Sequence, residues 1–468
     1  MFIPASAVHT EYRSAVLPAE FLNGLSVLFS SGDVLTDPVD CYAYSYDNSR
    51  RYSPPQAVVF AHNADQVQRL LLLCNEYRVP VTARGRGTGT AGASVPDCGG
   101  VVLSLERMRK IVKIDPANRV LVTQPGVLNE ELQAAAKPHG FFWVPDPSSA
   151  AYCTVGGNIA TCAAGPRAVK YGTTREHVLG LEAVTGKGNA IKTGCYTTKG
   201  VVGYDLTRLL IGSEGTLAVV TEATLKLTPL PAAASGLTAH YRDAESCARA
   251  IAAIMAQPHT PSALEFLDRG SLELIRNRYP DMLPEQTKAM LIIEADGSAT
   301  EVANTLAAIA QSCANPGLLS AEKALDAAAL WAVRRALSPL LRDIAPRKIN
   351  EDVVVPVSRL PELLDGLAAL STRYQLANVN FGHAGNGNIH VNLLIDPEVD
   401  LQRAQVCLEG VFDLVLSLNG TLSGEHGIGR EKRQYVAKEI DGATLALMKD
   451  IKTLFDPAGI LNPGKLFP

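Results

Sequence analysis

The stretch Val79-Pro80-Val81-Thr82-Ala83, followed by Arg84-Gly85-Arg86-Gly87-Thr88-Gly89-Thr90-Ala91-Gly92-Ala93, decides how the first half of the chain is read. A short β-branched run, expected as a strand, empties into a loop dense in glycine. Glycine tolerates positive φ, so such a loop can turn several N–H groups toward one point and cradle phosphate oxygens. No Gly-Lys-Ser/Thr closes it, so it is not a P-loop, and Gly87, Gly89 and Gly92 meet G-x-G-x-x-G only as a lone, weak match. Taken by itself, the loop reads equally well as an ordinary flexible connection.

Its surroundings change that balance. Upstream, residues 54–85 read as strand, helix, strand: AVVFA, then a helix from Asn63 or Ala64 to near Arg78, then VPVTA. Residues 1–50 read as mostly helical. Downstream come strand-like runs at 101–105 and 119–126 and a helix at 129–140 stopped by glycine. Residues 145–175 are loop-rich, and 178–192 and 216–228 return to strand character. Two further glycine clusters lie in this region, Pro145–Gly172 and Gly212-Ser213-Glu214-Gly215-Thr216. Three polar, glycine-rich clusters separated by strands fit a long ligand bound in an extended pose, and a dinucleotide has that length.

PLPAAA at 229–234 breaks the pattern and marks the expected domain boundary, giving domains 1–228 and 229–468. Beyond it, helices at 244–257, 300–314, 401–418 and 442–455 alternate with strands at 289–296 and 377–395. That alternation predicts an antiparallel sheet covered by helices, hence α+β. A chain of 468 residues with 47% hydrophobic and 19% charged residues is globular and expected to hold two or three domains. A net charge of -4 and the absence of basic clusters argue against nucleic acid. Nine cysteines without a C-x-x-C pair argue against a ferredoxin-like iron–sulfur module and a zinc ribbon, and fit a reducing cytosol. With no signal peptide and no run of 18 apolar residues, the expected location is cytoplasmic, with peripheral attachment to the inner membrane left open.

Three of the nine histidines fall in two short segments, Gly382-His383-Ala384-Gly385-Asn386-Gly387-Asn388-Ile389-His390 and Gly424-Glu425-His426-Gly427. His383 and His390 flank a tight turn, and a hairpin there would bring both imidazoles to one side. Two neutral imidazoles and a carboxylate are a common catalytic metal set with open positions for substrate. A lone histidine in such a place is more often held in a core or turn by hydrogen bonds. The pair, with Glu425 and a dinucleotide-binding region upstream, favours the metal.

The RGRGTGTAG loop, the VGGNIAT…GPRAVKYG segment and GSEGTL together resemble the FAD-binding domain of the vanillyl-alcohol-oxidase (PCMH) type over about 50–228. GHAGNGNIH and GEHGIG resemble the C-terminal domain of FAD-linked D-2-hydroxy acid dehydrogenases: D-lactate dehydrogenase, glycolate oxidase catalytic subunit and D-2-hydroxyglutarate dehydrogenase. The resemblance implies that FAD lies against Arg84, Gly85, Arg86, Gly87, Thr88, Gly89, Gly92 and Ala93 at its pyrophosphate. Along the ribityl chain and flavin it implies Pro145, Asp146, Ser149, Gly156, Gly157, Asn158, Ala160, Thr161, Ala163, Gly165, Gly172, Glu214 and Val219. The tail at 455–468 returns Asn462 to the flavin. No histidine stands in 84–93 or 145–165, so the FAD is expected to be noncovalent. The resemblance further assigns His383, His390 and Glu425 to a divalent metal, zinc by preference with manganese, iron or cobalt as alternatives. It makes His426 the general base, and Arg334, Ser338, Lys348 and Asn392 the substrate contacts.

Three departures stand out. Relatives often carry Asn-Ala-Gly-Gly where this chain has Cys162-Ala163-Ala164-Gly165, and a glycine where Ala218 stands. Their turn is usually Gly-Asp-Gly-Asn, against Asn386 here, which removes a carboxylate near the metal. The implied reaction is oxidation of a small D-2-hydroxy acid. The metal lowers the hydroxyl pKa, His426 takes its proton and the C2 hydrogen passes to flavin. D-Lactate is favoured. D-2-Hydroxyglutarate, toward which Lys348 and Asn392 pull, and glycolate, whose enzymes usually have proline where Val391 stands, are the alternatives. Electrons must leave to an external acceptor: a quinone, an electron-transfer flavoprotein or an iron–sulfur partner subunit. A homodimer is a further expectation. Two other classes compete: a metal hydrolase with structural FAD, and a non-catalytic FAD-carrying subunit.

Overall fold

The computed structural model describes residues 16–278, 283–323, 331, 332, 334, 335, 337, 340, 341 and 344–468. They form two compact units. One comprises Met1–Ala164, Thr173–Leu230 and Glu425–Pro468; the other comprises Gly165–Gly172 and Pro231–Gly424. The first unit thus takes in a C-terminal segment longer than the expected tail at 455–468.

The first unit carries two main sheets. In the four-stranded one the order is Val34–Leu35, Ala57–Phe60, Val101–Ser104, Val81–Arg84, and its last three strands are parallel. The helix Ala64–Tyr77 connects two of them because Val67, Leu70, Leu71 and Cys74 repeat at helical spacing and bury one stripe. The Asn63 side chain accepts from the N–H of Gln66 at 2.9 Å to cap its start, and Arg78 ends it in the left-handed region. The second sheet is five-stranded and antiparallel, in the order Ile111–Asp115, Val120–Thr123, Ala218–Lys226, Val178–Thr185, Ala190–Gly194. The segment expected to be mostly helical holds, among the described residues, one helix of length, Ala19–Leu28. Gly32 and Pro38 punctuate the rest into short turns and the strand Val34–Leu35.

The second unit is built on a seven-stranded antiparallel sheet. Its order is Leu318–Lys323, Ala233–Tyr241, Ala289–Gly297, Ala263–Leu267, Asn378–His383, Asn388–Ile395, Arg347–Val354. Side chains alternate between faces. One face bears Leu267, Met290, Ile292, Val379 and Phe381, packed on Leu272 and Ile275 of helix Arg269–Arg278 and on Leu337 and Leu341. The alternate set, including Leu264, Phe266, Leu291, Ile293, Val391 and Leu393, is also fully buried.

The hairpin Asn378–His383/Asn388–Ile395 turns through Ala384–Asn386 and closes at Gly387, whose φ is 72°. A side chain at Gly387 would collide with the carbonyl of Val355, which sits in a backbone pairing with this turn. Gly387→Ala therefore combines left-handed strain with a backbone clash. It should cost about 2–4 kcal/mol in urea unfolding; a loss under about 0.5 kcal/mol would show that the turn relaxes freely.

Candidate active site

In the first unit, the glycine loop leaves the strand Val81–Arg84 with its first side chain turned inward. The buried Arg84 guanidinium donates to the carbonyls of Ser94 at 3.3 Å and Ala43 at 3.4 Å, and burial draws its pKa down. Gly87 has φ 63°, and a Cβ there would run into that guanidinium; a Cβ on Gly85 would run into the hydroxyl of Thr154. The backbone of the first cluster thus lies directly on the residue that caps the helix Val155–Thr161 of the second. Asn158 is buried beside Asn129, whose amide spans the carbonyl of Pro145 and the side chain of Asn158.

The third cluster joins the other two. Glu214, at φ 54°, donates its N–H to the Ala160 carbonyl at 2.8 Å. Its buried carboxylate accepts from the N–H groups of Ile428 at 2.6 Å and Gly429 at 2.7 Å. Burial pushes this carboxyl upward; the two N–H donors and the charges of Lys465 and Lys432 oppose the shift. The N–H groups of Arg430 and Glu431 bind the carbonyl of Ala91 in the first loop. The turn that follows His426 is therefore held from two sides, by Glu214 and by Ala91.

The tail lies alongside the strand Val81–Arg84, where Val81 exchanges backbone bonds with Ile460 and Asn462. The Asn462 amide donates to the carbonyls of Ala93 at 2.8 Å and Glu214 at 2.7 Å. Its Oδ1 and the hydroxyl of Thr90 are buried without a protein partner. A cradle kept open by glycines and lined by two orphaned polar atoms fits a polar, extended cofactor. Val219, by contrast, sits in the apolar core beside Val184, so only its backbone could meet a ligand.

In the second unit, strand alternation sets the chemistry. Glu265 pairs across from His383, Phe381 from His390, and His390 from Asp352. All of these lie on one face. The rings of His383 and His390 are 5.3 Å apart and nearly perpendicular. His383 Nδ1 bonds the Glu265 carboxylate at 2.5 Å, and Arg334 Nε bonds its other oxygen at 2.6 Å. The Arg334 guanidinium also lies 4.6 Å over the ring of Phe381. Burial would raise the Glu265 carboxyl, but His383 and Arg334 outweigh it and hold it down to about 2. Asp352 accepts from the hydroxyl of Ser423 at 3.1 Å and the N–H of Gly424 at 2.9 Å. A side chain on Gly424 would strike Asn388 and Val354. The backbone of Gly424 is therefore fixed against the sheet.

The expected substrate residues divide. Arg334 lies beside the histidine pair. Asn392 is fully buried; its amide donates to the carbonyls of Val379 at 2.9 Å and His390 at 3.2 Å, and its oxygen accepts from Asn350. Lys348 is on the same strand as Asp352, four residues away, or about 13 Å along it. Ser338 lies outside the described residues. Asn386 is exposed on its turn. Gly165 and Gly172, both at positive φ, bracket a segment belonging to the second unit, where Lys170 and Tyr171 bind Asp296 and Val169 packs on Gly385. Sequence reading missed Glu265 and Asp352. A glutamate inside the apolar run Ala-Leu-Glu-Phe-Leu was the available signal for the first.

Two family models match the chain in succession. Residues 55–194 match the family described as "FAD binding domain", and residues 230–466 match "FAD linked oxidases, C-terminal domain". The chain is 38% identical to glycolate oxidase subunit GlcD of Bacillus subtilis, covering 91% of this chain and 92% of that protein. It is 35% identical to a D-lactate dehydrogenase of Anaerostipes hadrus (88% and 89% covered). It is 32% identical to a D-2-hydroxyglutarate dehydrogenase of Stutzerimonas stutzeri (95% and 98% covered). Among solved structures, p-cresol methylhydroxylase superposes with a TM-score of 0.78 at 17% identity, over 99% of this chain and 98% of that one. The fold is thus α+β with an FAD-binding domain of the PCMH type.

Glu214→Gln keeps the side-chain volume but can leave an N–H of Ile428 or Gly429 facing an NH₂ group. It should cost about 1–3 kcal/mol in urea unfolding; unchanged stability would remove Glu214 from this anchoring role.

Proposed function

We propose that this chain, which belongs to the FAD-linked oxidase family, oxidises a small D-2-hydroxy acid to the 2-oxo acid, with D-lactate the favoured substrate. The observation that carries the reading is the pair His383 and His390 on one sheet face, with the Arg334 guanidinium next to them. Two imidazoles offer nitrogen ligands to a divalent cation, zinc by preference, and Glu425 would supply the carboxylate. When bound, the cation would polarise the substrate hydroxyl and FAD would accept the hydride.

The remaining work falls to this chain's own side chains. Arg334 keeps a guanidinium edge for the substrate carboxylate, a geometry that lysine would not reproduce. His426 takes the hydroxyl proton, and the anchoring of residues 428–431 by Glu214 and Ala91 supports its placement. The FAD is proposed to be noncovalent, held by the three glycine clusters and by Asn462.

Two placements on the sheet support a short substrate. Asn392 is committed to backbone carbonyls, and Lys348 stands well along the strand from the histidine pair. Neither is set to receive the distal carboxylate of a dicarboxylate, which favours a short monocarboxylate over D-2-hydroxyglutarate. Glycolate is the second reading, supported by the GlcD relative. The electron acceptor is proposed to be external, a quinone, an electron-transfer flavoprotein or an iron–sulfur partner. No helix among the described residues is long and apolar enough to cross a membrane.

Anaerobic mixing with a panel of D- and L-2-hydroxy acids should bleach the flavin fastest with D-lactate; bleaching by none would sink the assignment. His426→Ala should retain FAD and lose roughly 100- to 10,000-fold in turnover. Chelation should abolish turnover and leave the yellow colour, whereas full activity after complete metal removal would refute the metal.

A further inference from the structure

Glu265 is the one charged residue of the strand Ala263–Leu267, and none of its surface reaches solvent. Burying a carboxylate on the sheet face that also carries Leu267, Ile292 and Phe381 is costly unless strong donors meet both oxygens. Two donors do. His383 Nδ1 takes one oxygen at 2.5 Å and Arg334 Nε the other at 2.6 Å. The strand register places Glu265 directly across from His383. Arg334 is itself nearly enclosed, with 12% of its side chain exposed, and is stacked on Phe381, the cross-strand partner of His390.

The chemistry of these bonds is directional. An imidazole that donates Nδ1–H to a carboxylate presents the lone pair of Nε2 on its far side. A guanidinium bound through Nε keeps its two Nη groups for another planar anion. Resting on the activity proposed above, we infer that Glu265 is a positioning residue that ties two tasks to one carboxylate. It sets His383 as a metal ligand through Nε2, and it aims Arg334 at the substrate carboxylate. The distance between metal and carboxylate anchor is then set by the span of one glutamate, which selects acids whose hydroxyl and carboxylate are on adjacent carbons.

The test is E265Q, which keeps shape but can satisfy only one of the two donors. Zinc is titrated into the metal-free protein by calorimetry, and kcat and KM for D-lactate are measured with zinc saturating. Zinc affinity should fall about 10- to 100-fold, as for loss of other partners of ligating histidines. With zinc saturating, KM should remain raised at least about tenfold, the size of one lost charge-assisted contact, with a smaller change in kcat. Arg334→Lys should raise KM and leave zinc affinity unchanged. Wild-type zinc affinity and KM in E265Q would overturn the inference. So would a KM that recovers fully once zinc is saturating, since Glu265 would then serve the ligand alone. If E265Q does not fold, Glu265→Asp is read the same way, because it keeps the charge but is one methylene too short to span both partners. Zinc binding is measured without turnover. A wild-type protein reduced by no 2-hydroxy acid would therefore refute the proposed activity, while weakened zinc binding in E265Q would still support the hold on His383.

Discussion

In an antiparallel strand, neighbouring residues face opposite ways, and the second unit is organised around that constraint. Seven strands in register sort their side chains into two populations. Leu264, Phe266, Val391 and Leu393 go to one face; Glu265, His383, His390 and Asp352 go to the other. A shift of one residue in the hairpin would exchange these sets and part the imidazoles from Glu265 and Asp352. Gly387, Gly382 and Gly424 hold the register by allowing backbone approaches that a Cβ would block. The site is thus a property of pairing before it is a property of any single side chain.

The first unit solves a different problem, the satisfaction of backbone groups in loops that have no ladder of their own. Each glycine cluster is held by a partner distant in sequence. Ala91 and Ala93 are bound from residues 430, 431 and 462, and Ala160 is bound from Glu214. Glu214 is the common element, with its N–H, carbonyl and carboxylate engaged by three different segments. Such a network is rigid where bonds are made, and it leaves Thr90 and Asn462 Oδ1 open for a ligand.

Much of this was legible in the residue order. Hydrophobic spacing placed the helix Ala64–Tyr77, because burial of an apolar stripe leaves a periodic trace, and the Gly-Asn-Gly-Asn turn marked the hairpin at 377–395. The glycine clusters announced themselves by composition. Glu265 was not legible in the same way, since its partners are 69 and 118 residues away and only the register unites them. Asp352 likewise serves residues 423 and 424, about 70 positions away, a pairing that only the fold reveals. Asn386 was weighted because relatives usually carry an aspartate at that turn position, but the turn leaves it exposed.

The excursion Gly165–Gly172 and the return at Glu425 give the chain an unusual economy of connection. It passes between units at 164/165, 172/173, 230/231 and 424/425, so the units are interleaved in the polypeptide. No single cut yields both. A fragment ending at 230 lacks the segment whose Asn462 joins Ala93 to Glu214, and a fragment starting at 231 lacks the Lys170 and Tyr171 that bind Asp296. Closure of the FAD-binding unit involves contacts of very long sequence separation, such as Val81 with Asn462, and is expected to be slow. Insertions, tags and gene fusions are accordingly better tolerated at surface loops inside one unit than at the apparent boundary between them.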